Sequence, residues 1–509
     1  MNQPPQETVF NSRRALLKAA GGCGLMTNTS LMATLLNLQA TKAVMASESN
    51  PTGYKAIVCL FLTGGNDSYN MLTPYDGTSS SGEYGDYFLS RGGFDDGTPA
   101  TDGGLALEQS SLVPISGPDS RTFGLHPGMA SEEFADGVTP PTDPGQRGVA
   151  KLYNDGNLAF VCNVGSLIYP ITRDQYNSNV GRPVGLFSHA DLQRHWQTGF
   201  PQSRSKITGW GGRMADLLQD TNTNETVSMN ISVSGMNLYQ TGEVVVPYAI
   251  GTGGATLVQG YSPGLTTGNR QDRMFTRGFD NIFDQTYTEL LSKTFSEANR
   301  NSTDAALGFN EAANSVQIET PFANEGPSNH LRMIARVIGA RQQLGQSRQI
   351  FFVTFGGWDN HTNLINAQNN NLPRVSRAIK SFYDATVELG VQDDVALFTV
   401  SDFARTLGTN GQGSDHGWGG NQIVCGGSVD GGKFFGKYPT SLLSPTDQTV
   451  GNLNLGRGRL IPTMSVDEMA ADIAMYFGIP NNTDLETVIP NIREFYASGG
   501  TNAPLGLFG

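Results

Sequence analysis

Ala56-Ile57-Val58-Cys59-Leu60-Phe61-Leu62 is an unbroken apolar run, and Thr63-Gly64-Gly65-Asn66-Asp67-Ser68 closes it in a polar, glycine-bearing turn. A run this short, rich in aliphatic and aromatic residues and without polar alternation, predicts a strand covered on both faces, as in parallel sheets. Leu158 to Val164, Ile350 to Phe355 and Val395 to Val400 repeat the pattern. Between and beyond them helical periodicity runs through Gly148 to Tyr153, His189 to Thr198, Arg213 to Leu218, Phe279 to Ala298, His330 to Leu344, Val375 to Leu389 and Val466 to Phe477. Strands alternating with helices predict an α/β fold of three α/β/α layers around a mostly parallel, doubly wound sheet. Ligands of such sheets bind beyond the carboxyl ends of the strands, so the residues just after each run are where chemistry is expected.

Composition narrows the function classes. The 509 residues are 38% hydrophobic and 16% charged, too apolar for a disordered chain. Lys and Arg total 33 against 46 Asp and Glu, a net charge of -13, which leaves no global basic surface for a phosphate backbone and excludes nucleic acid as a partner. The 63 glycines gather in loops without a collagen-like period, so loop-rich insertions are expected, above all between Pro74 and Pro144. Residues 222 to 278 read as a small β insertion, with short strands at Val227 to Val233, Gly242 to Ile250 and Ala255 to Gln259.

At the amino terminus Asn11-Ser12-Arg13-Arg14-Ala15-Leu16-Leu17-Lys18 precedes a weakly apolar stretch from Ala19 to Leu38, and small residues stand at Val44 and Ala46. This resembles a twin-arginine signal peptide over residues 1 to 46, read by the twin-arginine translocation machinery. Its removal leaves 29 cationic against 45 acidic side chains, a net -16, on a periplasmic or secreted mature chain from 47 to 509. No later stretch has the ~18 consecutive apolar residues of a membrane anchor. Cys59, Cys162 and Cys425 sit inside apolar runs, an odd number that reads as core packing rather than a disulfide framework.

Carboxylates and imidazoles recur at the predicted strand ends: Asp67 after the first run, Asp359 and His361 after the third, Asp402, Asp415 and His416 after the fourth. Residue types that share a cation thus collect at one sheet edge. Asn, Asp and Gly are also the commonest turn formers, which is the plainer account of the same residues.

Collectively FLTGGNDSYNML, FGLHPGM, LYNDGNLAFVCNVG, FSHADLQRHWQTG, GWGGR, FGGWDNHTN and SDFARTLGTNGQGSDHGWGG resemble the bacterial secreted family called domain of unknown function 1501, placed with the alkaline phosphatase and sulfatase superfamily. That resemblance implies an alkaline-phosphatase-like domain in which Asp67, Asp415, His416 and Ser188 share one divalent ion (Zn, Mn, Mg or Ca), with Asp359 and His361 holding a second. The spacing departs from the superfamily's pattern, with only Asn360 between Asp359 and His361 and no histidine after His416. The Cys/Ser-x-Pro-x-Arg context of sulfatases is missing around Ser188, which argues against formylglycine chemistry.

Ser188 precedes an amphipathic run, where a hydroxyl is either an N-cap or a nucleophile at the positive end of a helix. His126, His189 and His195 are candidates for missing ligands or a general acid, His189 foremost. Arg405 is a candidate clamp for an anionic oxygen or a partner of Asp402. Two functions follow: an exported metal-dependent hydrolase of phosphate or sulfate esters, acting on a small anionic ester, or a non-catalytic exported protein that keeps the fold to bind an envelope component.

Overall fold

All four apolar runs are strands, Lys55–Leu62, Leu158–Gly165, Arg348–Phe355 and Val395–Ser401, each buried over most of its length. The computed structural model describes residues 53–92, 104–117, 121–224, 226–258, 260–443, 453–497 and 503–509. The segment read as an export signal lies outside the described residues. Across the nine-stranded sheet the order is Phe434–Gly436, Leu158–Gly165, Gly420–Cys425, Val395–Ser401, Lys55–Leu62, Arg348–Phe355, Asn230–Ser232 and Tyr248–Ala249, with Met464–Ser465 also pairing with Leu158–Gly165. All pairings are parallel except those of Gly420–Cys425, which runs antiparallel to both neighbours.

Burial on both faces explains the unbroken apolar runs. Along the central strand Ala56, Val58, Leu60 and Leu62 face one core, which the helices Gly148–Asn154, Gly326–Gly339 and Leu364–Glu388 complete. Ile57, Cys59 and Phe61 face the other, closed by Trp210–Leu218 and Val466–Phe477. Three layers result, as the alternation of strands and helices predicts. Among the described residues Cys59, Cys162 and Cys425 are free and buried, and burial pushes their thiols well above the usual range.

Two expectations need correction. The strands of residues 222 to 278 do not form an insertion of their own: Asn230–Ser232 and Tyr248–Ala249 extend the edge of the main sheet, and no strand covers 255–258. Strands this short bury too little surface to stand apart from a larger sheet. The single helix expected over Phe279 to Ala298 is two, Arg270–Asp284 and Leu290–Ser315, broken where Gln285 and Glu289 adopt extended backbone.

Buried imidazoles make the fold sensitive to acid. His126 and His195 are 1% and 2% exposed, and burial holds both down to about 4. Below their ordinary value of ~6.5 the unfolded chain takes up protons that the native state refuses, so stability is complete above ~6.5 and drains as pH falls toward 4, by up to roughly 3 kcal/mol per group. Asp467, pushed up to about 7 by burial, acts in the opposite sense and loses stability as pH rises. We therefore expect His126→Gln to flatten the fall in urea midpoint between pH 7 and pH 4.5. Parallel curves for this variant and wild type would show that His126 protonates freely in the native state.

Candidate metal centre

Three adjacent strands deliver the site. Asp67, Asp402 and Asp359 follow the carboxyl ends of Lys55–Leu62, Val395–Ser401 and Arg348–Phe355. The strand ends crowd together, and a side chain at Gly64, whose φ is 122°, would stand 2.5 Å from the Asp359 backbone nitrogen. Only glycine tolerates both that conformation and that approach. An antiparallel hairpin, Arg405–Thr409 with Ser414–His416, then pairs Arg405 with His416 across its strands. His189 is the first residue of the helix His189–Thr198.

Three of the chain's six histidines meet here in one protonation pattern. His189 Nδ1 donates to Asp402 Oδ2 at 2.7 Å, His361 Nδ1 to Asp415 Oδ1 at 3.0 Å, and His416 Nδ1 to the Phe187 carbonyl at 2.7 Å. Each acceptor is an oxygen with no proton to give, so each Nδ1 carries a hydrogen, and in the neutral ring the Nε2 is then the lone pair. Those lone pairs converge: His361 Nε2 and His416 Nε2 are 3.0 Å apart, and His189 Nε2 is buried without a hydrogen-bond partner. Asp359 completes the group, its oxygens 3.3 Å from His189, 3.1 Å from His361 and 3.4 Å from His416. His189, Asp359 and His416 each offer a ligand atom within 4.8 Å of the others.

Surrounding groups hold this arrangement. Asp402 is fully buried and accepts from the Gly64 backbone and from Gln193 Nε2 as well as from His189. It stands behind the imidazole, the place from which a carboxylate orients a ligating histidine. The Phe403 ring packs on His189 and His416, centroids 4.8 and 4.4 Å away. Phe187, which supplies the carbonyl to His416, has φ of 73°, a conformation rare for so bulky a residue and found at constrained functional sites. Burial lowers the His416 imidazole, keeping it neutral near pH 7. Burial raises the Asp359 carboxyl, but Arg405 and the imidazoles outweigh it and hold the group below its ordinary range. Asp415 falls to about 2 because Asn410, His361 and Arg457 overcome its burial.

Four residues singled out in the sequence are placed differently. Asp67 is fully buried and paired with the equally buried Arg91, and its carboxyl is nonetheless raised because burial outweighs that cation. It is not in the imidazole cluster. Asp415 holds His361 from behind, with its second oxygen on Arg457 at 2.7 Å. Ser188 is the N-cap residue of the helix His189–Thr198, and its hydroxyl bonds Asp191, a carboxylate gripped by Arg204. Arg405 is buried, its guanidinium committed to Asp359 at 2.8 Å, to the Gly64 carbonyl and to Ser414, so it positions Asp359 and is closed to a substrate. Trp358 and Trp418 are core side chains, 0% and 1% exposed. Sequence reading overlooked Arg91 and Arg457; the Gly456-Arg457-Gly458-Arg459 stretch was the visible sign of the second.

Among the described residues no helix is long and apolar enough to cross a membrane. No curated protein matches the chain. Among solved structures, PsFucS1 sulfatase from Pseudoalteromonas sp. aligns over 81% of this chain and 68% of its own at 6% identity, with a TM-score of 0.25, a likeness too slight to bear on function. The model of the family described as "Protein of unknown function (DUF1501)" matches residues 54–474, a span that contains every member of the cluster, and the chain belongs to that family.

Proposed function

We propose that the protein is an exported metal-dependent hydrolase of phosphate or sulfate esters, with one divalent ion held by His189, His416 and Asp359 and joined by His361. The observation that carries this reading is the convergence of three Nε2 atoms on one carboxylate, with ligand atoms of His189, Asp359 and His416 all within 4.8 Å of one another, a donor set one cation can satisfy at once. A donor set of imidazoles with one carboxylate suits zinc or manganese better than magnesium or calcium, which prefer all-oxygen shells.

An ion held there supplies Lewis acidity, stabilising charge on an ester oxygen and making water a stronger acid. The chain's own residues supply the rest. Asp402, Asp415 and the Phe187 carbonyl fix the three tautomers, and Arg405 holds Asp359 in place. A water, or the Ser188 hydroxyl that precedes His189, is the nucleophile.

The test is metal analysis of the purified mature protein, followed by assays on an aryl phosphate and an aryl sulfate after loading with Zn, Mn, Mg or Ca. One zinc-class ion per chain and ester hydrolysis that a chelator abolishes are expected. An ion without turnover would identify a binding protein, and neither ion nor turnover would refute the metal reading altogether.

A further inference from the structure

We propose that Arg457 is the residue that recognises the anionic group at this site, a tetrahedral oxyanion such as the phosphate or sulfate of an ester. The assignment rests on the metal-dependent reading above. It starts from a deficit: Asp359, Asp402, Asp415 and the imidazole Nε2 atoms are all acceptors, and the whole chain carries -13. Beside the ion, an anion approaching so acidic a site gains from a further accessible cation. Arg405 and Arg91 are no more than 1% exposed, and both are bonded to carboxylates and to backbone carbonyls. Arg457 is different, with a side chain 51% exposed and one carboxylate partner, Asp415.

The backbone is built to place it. Gly456, Arg457 and Gly458 have φ of 103°, 59° and 75°, three successive left-handed residues. Gly or Asn adopts that conformation at less cost than arginine, so an arginine in the middle is held there against its own preference. Asn454 Oδ1 accepts from the backbone nitrogens of Gly456 and Gly458 at 2.8 and 3.1 Å. Leu407 and Gly408 donate to the carbonyls of Gly458 and Arg457, which pins the loop to the hairpin bearing Arg405 and His416. Anchored this way, Arg457 Nη1 reaches Asp415 Oδ2 at 2.7 Å, and the other oxygen of Asp415 touches His361. Arg459, two residues on, lies over the Phe187 ring at 5.2 Å.

An ion pair this exposed is weak, so the guanidinium can leave Asp415 for an incoming oxyanion, whose geometry matches its paired donors. The decisive variant is Arg457→Gly, because glycine accepts φ of 59° and the fold should melt at or above the wild-type temperature. Zinc-loaded wild type, Arg457→Gly and Arg457→Lys are titrated calorimetrically with inorganic phosphate and, separately, with sulfate; the tighter anion names the ester class. We expect the Kd of that anion to rise about tenfold or more in Arg457→Gly and by an intermediate factor in Arg457→Lys, with metal content unchanged. Wild-type affinity in Arg457→Gly, or no binding of either anion by wild type that holds its ion, overturns the assignment and leaves the metal reading standing. Wild type that retains no ion overturns both.

Discussion

His416→Ala is expected to empty the centre. The substitution removes one of three converging imidazoles and leaves His361 Nε2 without its counterpart 3.0 Å away. Metal content should fall from about one ion per chain to less than about a tenth, and ester hydrolysis by roughly 10³-fold or more, because the ion supplies the charge stabilisation for which no side chain substitutes. Asp402→Asn tests the same geometry without removing a ligand. Its amide can still accept from Gly64 through one oxygen, but the new NH₂ faces His189 Nδ1 and Gln193 Nε2, both donors. His189 can answer only by moving its proton to Nε2, the ligating nitrogen, so metal affinity should drop by about 10 to 100-fold at unchanged ligand count. Full metal retention in both variants would show that the imidazoles converge for another reason.

Asp67 and Arg91 are expected to matter for stability and not for the ion. Both side chains are fully buried, and Arg91 Nη1 also donates to the Thr406 and Leu407 carbonyls at 3.1 and 3.2 Å. The pair therefore ties the end of the central strand to the hairpin that carries Arg405 and His416. Asp67→Ala strands a buried guanidinium, which costs about 3 to 5 kcal/mol, and should lower the urea midpoint while the ion stays bound. In Arg91→Leu the carboxyl loses its cation. Its native pKa, already raised by burial, then lies further above the unfolded value of ~3.9, so the penalty should grow as pH rises above that value. Replacing both residues with apolar ones should recover part of the loss. An Asp67→Ala protein of wild-type stability that loses its ion would make Asp67 a ligand and refute this account.

Much of the fold is legible in the sequence because burial on two faces removes polar residues from a strand and leaves a mark that no neighbour is needed to read. Lys55–Leu62, Arg348–Phe355 and Val395–Ser401 are of this kind, and the acidic turns after them pointed to the edge where the cluster lies. Gly420–Cys425 shows the limit: only Ile423, Val424 and Cys425 are apolar in it, too short a run to predict a strand, and its antiparallel direction depends on the hairpin that precedes it. The candidate ligands were legible as residue types, whereas their grouping was not. Asp67 and Asp402 both follow neighbouring strands, yet one is captured by Arg91 from the end of a separate helix and the other turns to His189. Ser188 and His189 are adjacent in sequence and face different partners. The sequence by itself determined the four long buried strands, most of the helices that cover them and the edge at which chemistry collects, since hydrophobic period and turn chemistry are local. Only the tertiary structure decided which carboxylates meet imidazoles, which are neutralised by arginine, and where Arg457 points, because those choices depend on distances between segments tens to hundreds of residues apart.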